Sequence, residues 1–171
     1  MLPESVDLQF PDDGTTANQD FCFQKTAEGF NDLQVYIPSH GIFRPGFDEE
    51  IVVVCKNIGN TNSPATITFK DIYDFGYFIS SLPAAKENDG ELSIEVGKLL
   101  PFQEGTVKVV YKLNPPTDPL NPLQDGDLIC FETTVALHDN EVSEDNSNHE
   151  ICVTLINSYD PNNKTCLDGI I

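Results

Sequence analysis

Hydrophobic and polar residues alternate along most of this chain with a period of two, and no stretch shows the 3.6-residue period of a helix. Residues 33–37 alternate and stop at Pro38. Residues 50–56, 65–70, 91–96, 106–112, 128–137 and 150–155 repeat the pattern, and Phe21-Cys22-Phe23 is a shorter candidate. An aromatic stretch, Ile72 to Ile79, is a further strand candidate. Turn signals separate these runs: Arg44-Pro45-Gly46, Asn57-Ile-Gly-Asn-Thr-Asn62, a proline-rich crossover over 114–127 and an acidic loop over 138–148. Short alternating runs with turns between them predict an all-β chain, an immunoglobulin-like antiparallel β-sandwich of about seven strands.

Parity sorts the faces. Glu50 and Lys56 share one parity and belong in solvent, so Ile51, Val53 and Cys55 point inward. Glu132 points out, which turns Ile129, Phe131, Thr133 and Val135 in; Ile151, Val153 and Leu155 are the inward set of the last strand. The expected organisation is a linker or the tail of a preceding module over 1–20, the sandwich over 21–158, and a junction to a following module over 159–171.

Charge narrows the function. The 171 residues carry 28 acidic and 9 basic side chains, a formal net charge of −19. Phosphate binding requires cationic neutralisation, so nucleic acid is excluded as an expected partner, and an anionic membrane surface is disfavoured. No apolar run approaches the roughly 20 residues of a membrane span, so no membrane insertion is expected. The start, Met1-Leu-Pro-Glu, lacks a basic region and an apolar signal core; an export signal is expected outside this fragment.

Five cysteines are many for a cytosolic β-domain. Cys55 falls on the core face, as a free thiol. Cys130 and Cys152 fall on the outer face of strands joined by one loop, so a cross-strand bond between them is expected. A second bond, Cys22–Cys166, would staple the two ends. All five as free thiols is the competing reading. No zinc spacing links the cysteines to His40, His138 or His149. Nucleophile-elbow, P-loop, dinucleotide-binding and HExxH motifs are all missing, and no catalytic residue is expected.

The oxygen-rich clusters point instead to calcium, which takes six to eight oxygen ligands. Asp160, Asn162 and Asn163 lie on a turn stiffened by Pro161, with Asp145 of the acidic loop as a contributor if the two approach. Against this stand an Asx-turn at Asp160 and a solvated hairpin over the acidic loop. Asn163-Lys-Thr165 fits the N-glycosylation pattern. With no Trp in the chain, the only candidate platform for a sugar is Tyr73, Phe75 and Tyr77 with Phe78; core and sheet-edge packing is the plainer role for these rings.

Arg44-Pro-Gly-Phe-Asp48, Val53-Val-Cys-Lys-Asn-Ile-Gly-Asn-Thr61, Gly126-Asp-Leu128, Asp145-Asn146 and Asp160-Pro-Asn-Asn-Lys-Thr-Cys-Leu-Asp-Gly169 occur in that order. Together they resemble the immunoglobulin-like conserved-repeat modules of large surface proteins exported by the type IX secretion system of gliding bacteria. Two positions depart from that pattern: Asn163 stands where the family has a second Asp, and Cys55 where it has an aromatic. The resemblance implies a non-catalytic structural or adhesive repeat, extracellular or at the cell surface, with neighbouring modules of the same chain and a surface glycan or protein as partners. The alternative is a ligand- or carbohydrate-binding accessory domain of a secreted enzyme.

Overall fold

The computed structural model describes residue 16 and residues 28–38, 40–139 and 141–157. Among the described residues nine strands are formed, against about seven expected: β1 (Leu33–Tyr36), β2 (Asp48–Asn57), β3 (Ser63–Asp71), β4 (Gly76–Leu82), β5 (Ala85–Asn88), β6 (Glu91–Leu99), β7 (Glu104–Leu113), β8 (Leu128–Val135) and β9 (Asn148–Thr154). They form two antiparallel sheets, β1-β2-β7-β4 and β5-β6-β3-β8-β9. The all-β sandwich is therefore as expected. The candidate strand over 21–23 lies outside the described residues.

The extra elements come from residues 72–88, the aromatic stretch and its continuation. Residues 72–75 are a turn and not the start of a strand, with Asp74 at φ 56°. β4 begins at Gly76 and runs to Leu82; the chain then crosses to the other sheet as β5.

The period-two reading holds in the core. Ile51, Val53 and Cys55 are at most 1% exposed, and Ile129, Phe131, Thr133 and Val135 at most 4%. Val153 and Leu155 are buried, but Ile151 is only half-buried, because β9 is the edge of its sheet. The aromatic centre of the core is Phe69 stacked on Phe131 at 5.5 Å, with Phe43 and Tyr111 edge-on to Phe131 at 6.1 and 5.9 Å. Offset and edge-on pairs of this kind satisfy the ring quadrupoles while removing large apolar areas from water.

Strand direction gives the molecule two poles. Leu33 pairs with Asn57, Ser63 with Leu99, Lys56 with Glu104 and Thr134 with Asn148. The loops over 57–63, 99–104 and 135–148 therefore share one pole, here the upper. Asp48 pairs with Lys112, Lys70 with Glu91 and Leu128 with Thr154. The loops over 36–48, 71–76, 88–91 and 113–128 thus lie at the lower pole. The chain reaches β1 at the upper pole and leaves β9 at the lower one.

Candidate functional site

Two of the five segments that carry the family resemblance bracket β2, and both form turns. At the lower pole, Arg44–Phe47 closes a turn in which the Phe47 N–H donates to the Arg44 carbonyl at 3.2 Å. Gly46 sits at φ 80°, with Pro45 before it, the arrangement a type II turn requires. Gly46 N–H also donates to the Asn114 carbonyl at 3.1 Å, and Glu49 Oε1 accepts from the Arg44 N–H at 2.9 Å.

At the upper pole the Asn57–Thr61 turn is built around a wholly buried amide. Asn57 Nδ2 donates to the carbonyls of Thr61 (2.7 Å) and Leu99 (3.0 Å), and its Oδ1 accepts from Gly59 N–H at 3.0 Å. A Cβ on Gly59 would meet Asp32 N at 2.7 Å and the Phe30 carbonyl oxygen at 2.8 Å. Both are backbone atoms, so glycine is required by close approach.

That close approach is a clamp on the incoming chain. Ile58 N–H and Gly59 N–H donate to the Asp32 carbonyl at 2.8 and 3.2 Å. Phe30 N–H donates to Asn60 Oδ1 at 2.8 Å, and Asn60 N–H to the Phe30 carbonyl at 3.2 Å. Thr61 Oγ1 donates within reach of the Phe30 carbonyl (2.9 Å) and of Asn31 Oδ1 (2.5 Å), which also accepts from Ser63 Oγ at 2.8 Å.

The acidic loop supplies the other side of the clamp. Glu141 Oε1 accepts from Leu33 N–H at 2.6 Å, Val142 N–H donates to the Asn31 carbonyl at 3.1 Å, and the Asn146 carbonyl accepts from Val35 N–H at 3.0 Å. Asn31 and Glu141 form a parallel bridge. Asn146 Nδ2 donates to Asp32 Oδ1 at 2.9 Å. The expected solvated hairpin is thus partly a structural brace, and its acidic character conceals that role.

Of the predicted site residues, the structure brings one pair together. Cys130 and Cys152 are directly opposed and bonded, with a Cα separation of 4.1 Å. Cys55 is free and buried, and burial pushes its thiol pKa up to about 12, which makes it inert at neutral pH. Cys22, Cys166, Asp160, Asn162 and Asn163 lie outside the described residues.

Asp145 is exposed in the upper-pole loop, whereas Asn157 is at the lower pole. The three residues from Asn157 to Asp160 reach at most about 11 Å, and β9 itself spans seven residues, about 24 Å. Asp145 and Asn157 are therefore at opposite poles, and Asp160 lies outside the described residues.

Among the described residues, one group places three metal-capable side chains within 4.8 Å of one another: Cys130, Glu150 and Cys152. Both sulfurs are spent in the disulfide, which leaves a single carboxylate, and that donor set does not fit calcium.

The candidate aromatic platform is divided between solvent and core. Tyr73 and Tyr77 are 55% and 58% exposed, but Phe75 and Phe78 pack against the core. The Tyr73 and Phe75 rings lie 5.6 Å apart and are inclined by 42°.

Sequence reasoning missed Asp71 at the end of β3. It is 2% exposed, and its Oδ1 accepts from Tyr73 N–H at 3.2 Å. Burial raises its pKa above the ordinary 3.8, against backbone N–H bonds from Tyr73, Phe75 and Gly76 that lower it. An acidic residue at the end of an alternating strand was the only sequence signal.

No family profile matches the chain, and no curated protein matches it. Solved structures do. The CARDB domain of a Pyrococcus furiosus protein is 19% identical, with a TM-score of 0.50, over 75% of this chain and 98% of that domain. The likeness is one of fold. A crystal structure of the same domain in complex with two metal ions is 18% identical, TM-score 0.48, over 78% of this chain and 100% of that one. BslA, a bacterial hydrophobin, is 15% identical, TM-score 0.41, over 77% and 98%. The chain is an immunoglobulin-like β-sandwich module with neighbours of CARDB type. No helix among its described residues is long and apolar enough to cross a membrane.

Proposed function

We propose that this chain is a non-catalytic spacer module of an exported, adhesin-like surface protein, held in series with neighbouring modules. One observation carries the reading: the chain comes in at the upper pole and leaves at the lower one. A module threaded in this way adds its full length to a string of domains. A module whose ends shared one pole would add a side branch.

Three further features support it. Two of the motifs that carry the resemblance to type IX-exported repeats serve as turns at the two ends of β2. The Cys130–Cys152 disulfide suits an oxidising compartment outside the cytoplasm. The −19 charge keeps the long faces of neighbouring modules apart. Calcium at Asp160, Asn162 and Asn163 belongs to this reading as a stiffener of the joint; Asp145 lies at the pole opposite Asn157.

A glycan-binding accessory domain of a secreted enzyme is the second reading, and the exposure of Tyr73 and Tyr77 is what favours it. A module exchange separates the two. Residues 28–157 are replaced, in the parent protein on its native cells, by an unrelated sandwich with the same pole-to-pole path. The spacer reading expects surface display and adhesion to persist. Loss of adhesion with display intact would overturn it and place ligand contacts in this module.

A further inference from the structure

The segment before β1 is more densely anchored than the packing of a four-residue edge strand requires. Phe30 to Leu33 receive or give hydrogen bonds to two separate loops, the 57–63 turn and the 139–146 brace. All of these bonds lie at the pole where the chain comes in.

We propose that this clamp bears mechanical load, and that Cys130–Cys152 confines yielding to the N-terminal side of the module. The inference rests on the spacer reading and deepens it. Tension on the two chain ends pulls β1 toward the upper pole and β9 toward the lower pole. β1 and β9 run in the same direction at one lateral edge of the sandwich, β1 in one sheet and β9 in the other.

Both strands are thus pulled along their own axes, across their hydrogen bonds. All bonds of a ladder share such a shear load, whereas a peeled strand loses them one at a time. The parallel contact of residues 31–35 with 141–146 is loaded in the same sense, since its two sides belong to opposite ends of the chain.

The disulfide decides which end yields. Tension arriving along β9 passes at Cys152 to Cys130 on β8, which is itself paired with β3. The brace over 139–146 lies inside that covalent loop, so β9 cannot drag it away from β1. Among the described residues no covalent bond bypasses the clamp on Phe30–Leu33, so it releases first.

Single-molecule force spectroscopy on the full chain tests this in two geometries. One pulls on the two termini; the other pulls between a click handle at Glu87 and the C-terminus, which leaves the clamp unloaded. The variant is Asn60→Ala with Thr61→Val, and Thr61→Ser is the conservative control. At constant force between the termini, loss of about two bonds' worth of stabilisation, about 2 kcal/mol, raises the unfolding rate about thirtyfold. The same variant pulled from Glu87 unfolds at the wild-type rate, and Thr61→Ser stays close to wild type in both.

With the disulfide intact, the length released is shorter by the residues between Cys130 and Cys152, roughly 8 nm. Reduction restores that length and frees the β9 end to yield, so the first rupture speeds up and loses part of its dependence on Asn60 and Thr61. A variant that melts earlier but ruptures at the wild-type rate between the termini would overturn the proposal, leaving the clamp a thermal staple. Equal wild-type rates in the two geometries would also overturn it. Neither result touches the spacer reading, which the module exchange tests separately.

Discussion

Asn57→Ala is the most informative single substitution, because one buried side chain organises the whole upper turn. The change removes two donated hydrogen bonds, to Thr61 and Leu99, and one accepted from Gly59. Asn57 is 0% exposed, so no water replaces it and three backbone groups are left without these partners. Net losses near 1 kcal/mol for each bond, with the higher cost of orphaned buried groups, total about 4 kcal/mol. For a protein of this size that is a fall of about 12 °C in the melting midpoint.

The assay is a thermal melt monitored by circular dichroism, with a urea series for the free energy. Asn57→Asp is the control for chemistry over size: it keeps the acceptor for Gly59 but sets a carboxylate oxygen against two carbonyls, so it should be at least as damaging. A loss below about 1 kcal/mol for Asn57→Ala, with the spectrum unchanged, would refute the reasoning.

Other substitutions and treatments have equally definite outcomes. Reducing Cys130–Cys152 opens a loop of sequence separation 22, and chain entropy sets the cost at about 3 kcal/mol; a urea midpoint indifferent to reductant would contradict this. Asp71 has a folded pKa raised above its unfolded 3.8, so the folded state holds the proton more tightly. The stability this contributes is complete below the unfolded value and is lost as pH rises through the folded one. Asp71→Asn should therefore flatten the pH dependence of stability just above pH 3.8, and a wild-type slope in the variant would count against it. Cys55 should resist a thiol reagent in the native state and react on unfolding; rapid native labelling would mean the core face was misassigned.

The fold was legible where burial writes itself into the sequence with a period of two. Glu50 and Lys56 in β2, and Glu132 in β8, set the parity from which Ile51, Val53, Cys55, Ile129, Phe131 and Val135 were read as core. β5 escaped because Ala85-Lys-Glu-Asn88 has no apolar alternation; backbone pairing with β6 makes it a strand. The aromatic stretch reads as one unit by composition but divides at Asp74, whose positive φ belongs to a turn.

The candidate site was legible only in part. The opposed cysteines are a consequence of parity on adjacent strands. The clamp is not, because Glu141 and Asn146 engage backbone groups of residues about a hundred positions away in the chain. No local pattern distinguishes such an acid from a solvated one.

The path of the chain from pole to pole is the claim on which the rest depends, and one distance tests it directly. Spin labels carried by unnatural amino acids at Glu28 and Asn157 leave the native cysteines in place. The ten residues of β2 already span roughly 34 Å, and the loops at both poles lengthen the path, so the account predicts a pulsed electron–electron distance beyond about 35 Å. A narrow distribution below about 20 Å, less than the length of a seven-residue strand, would put both ends at one pole and contradict it.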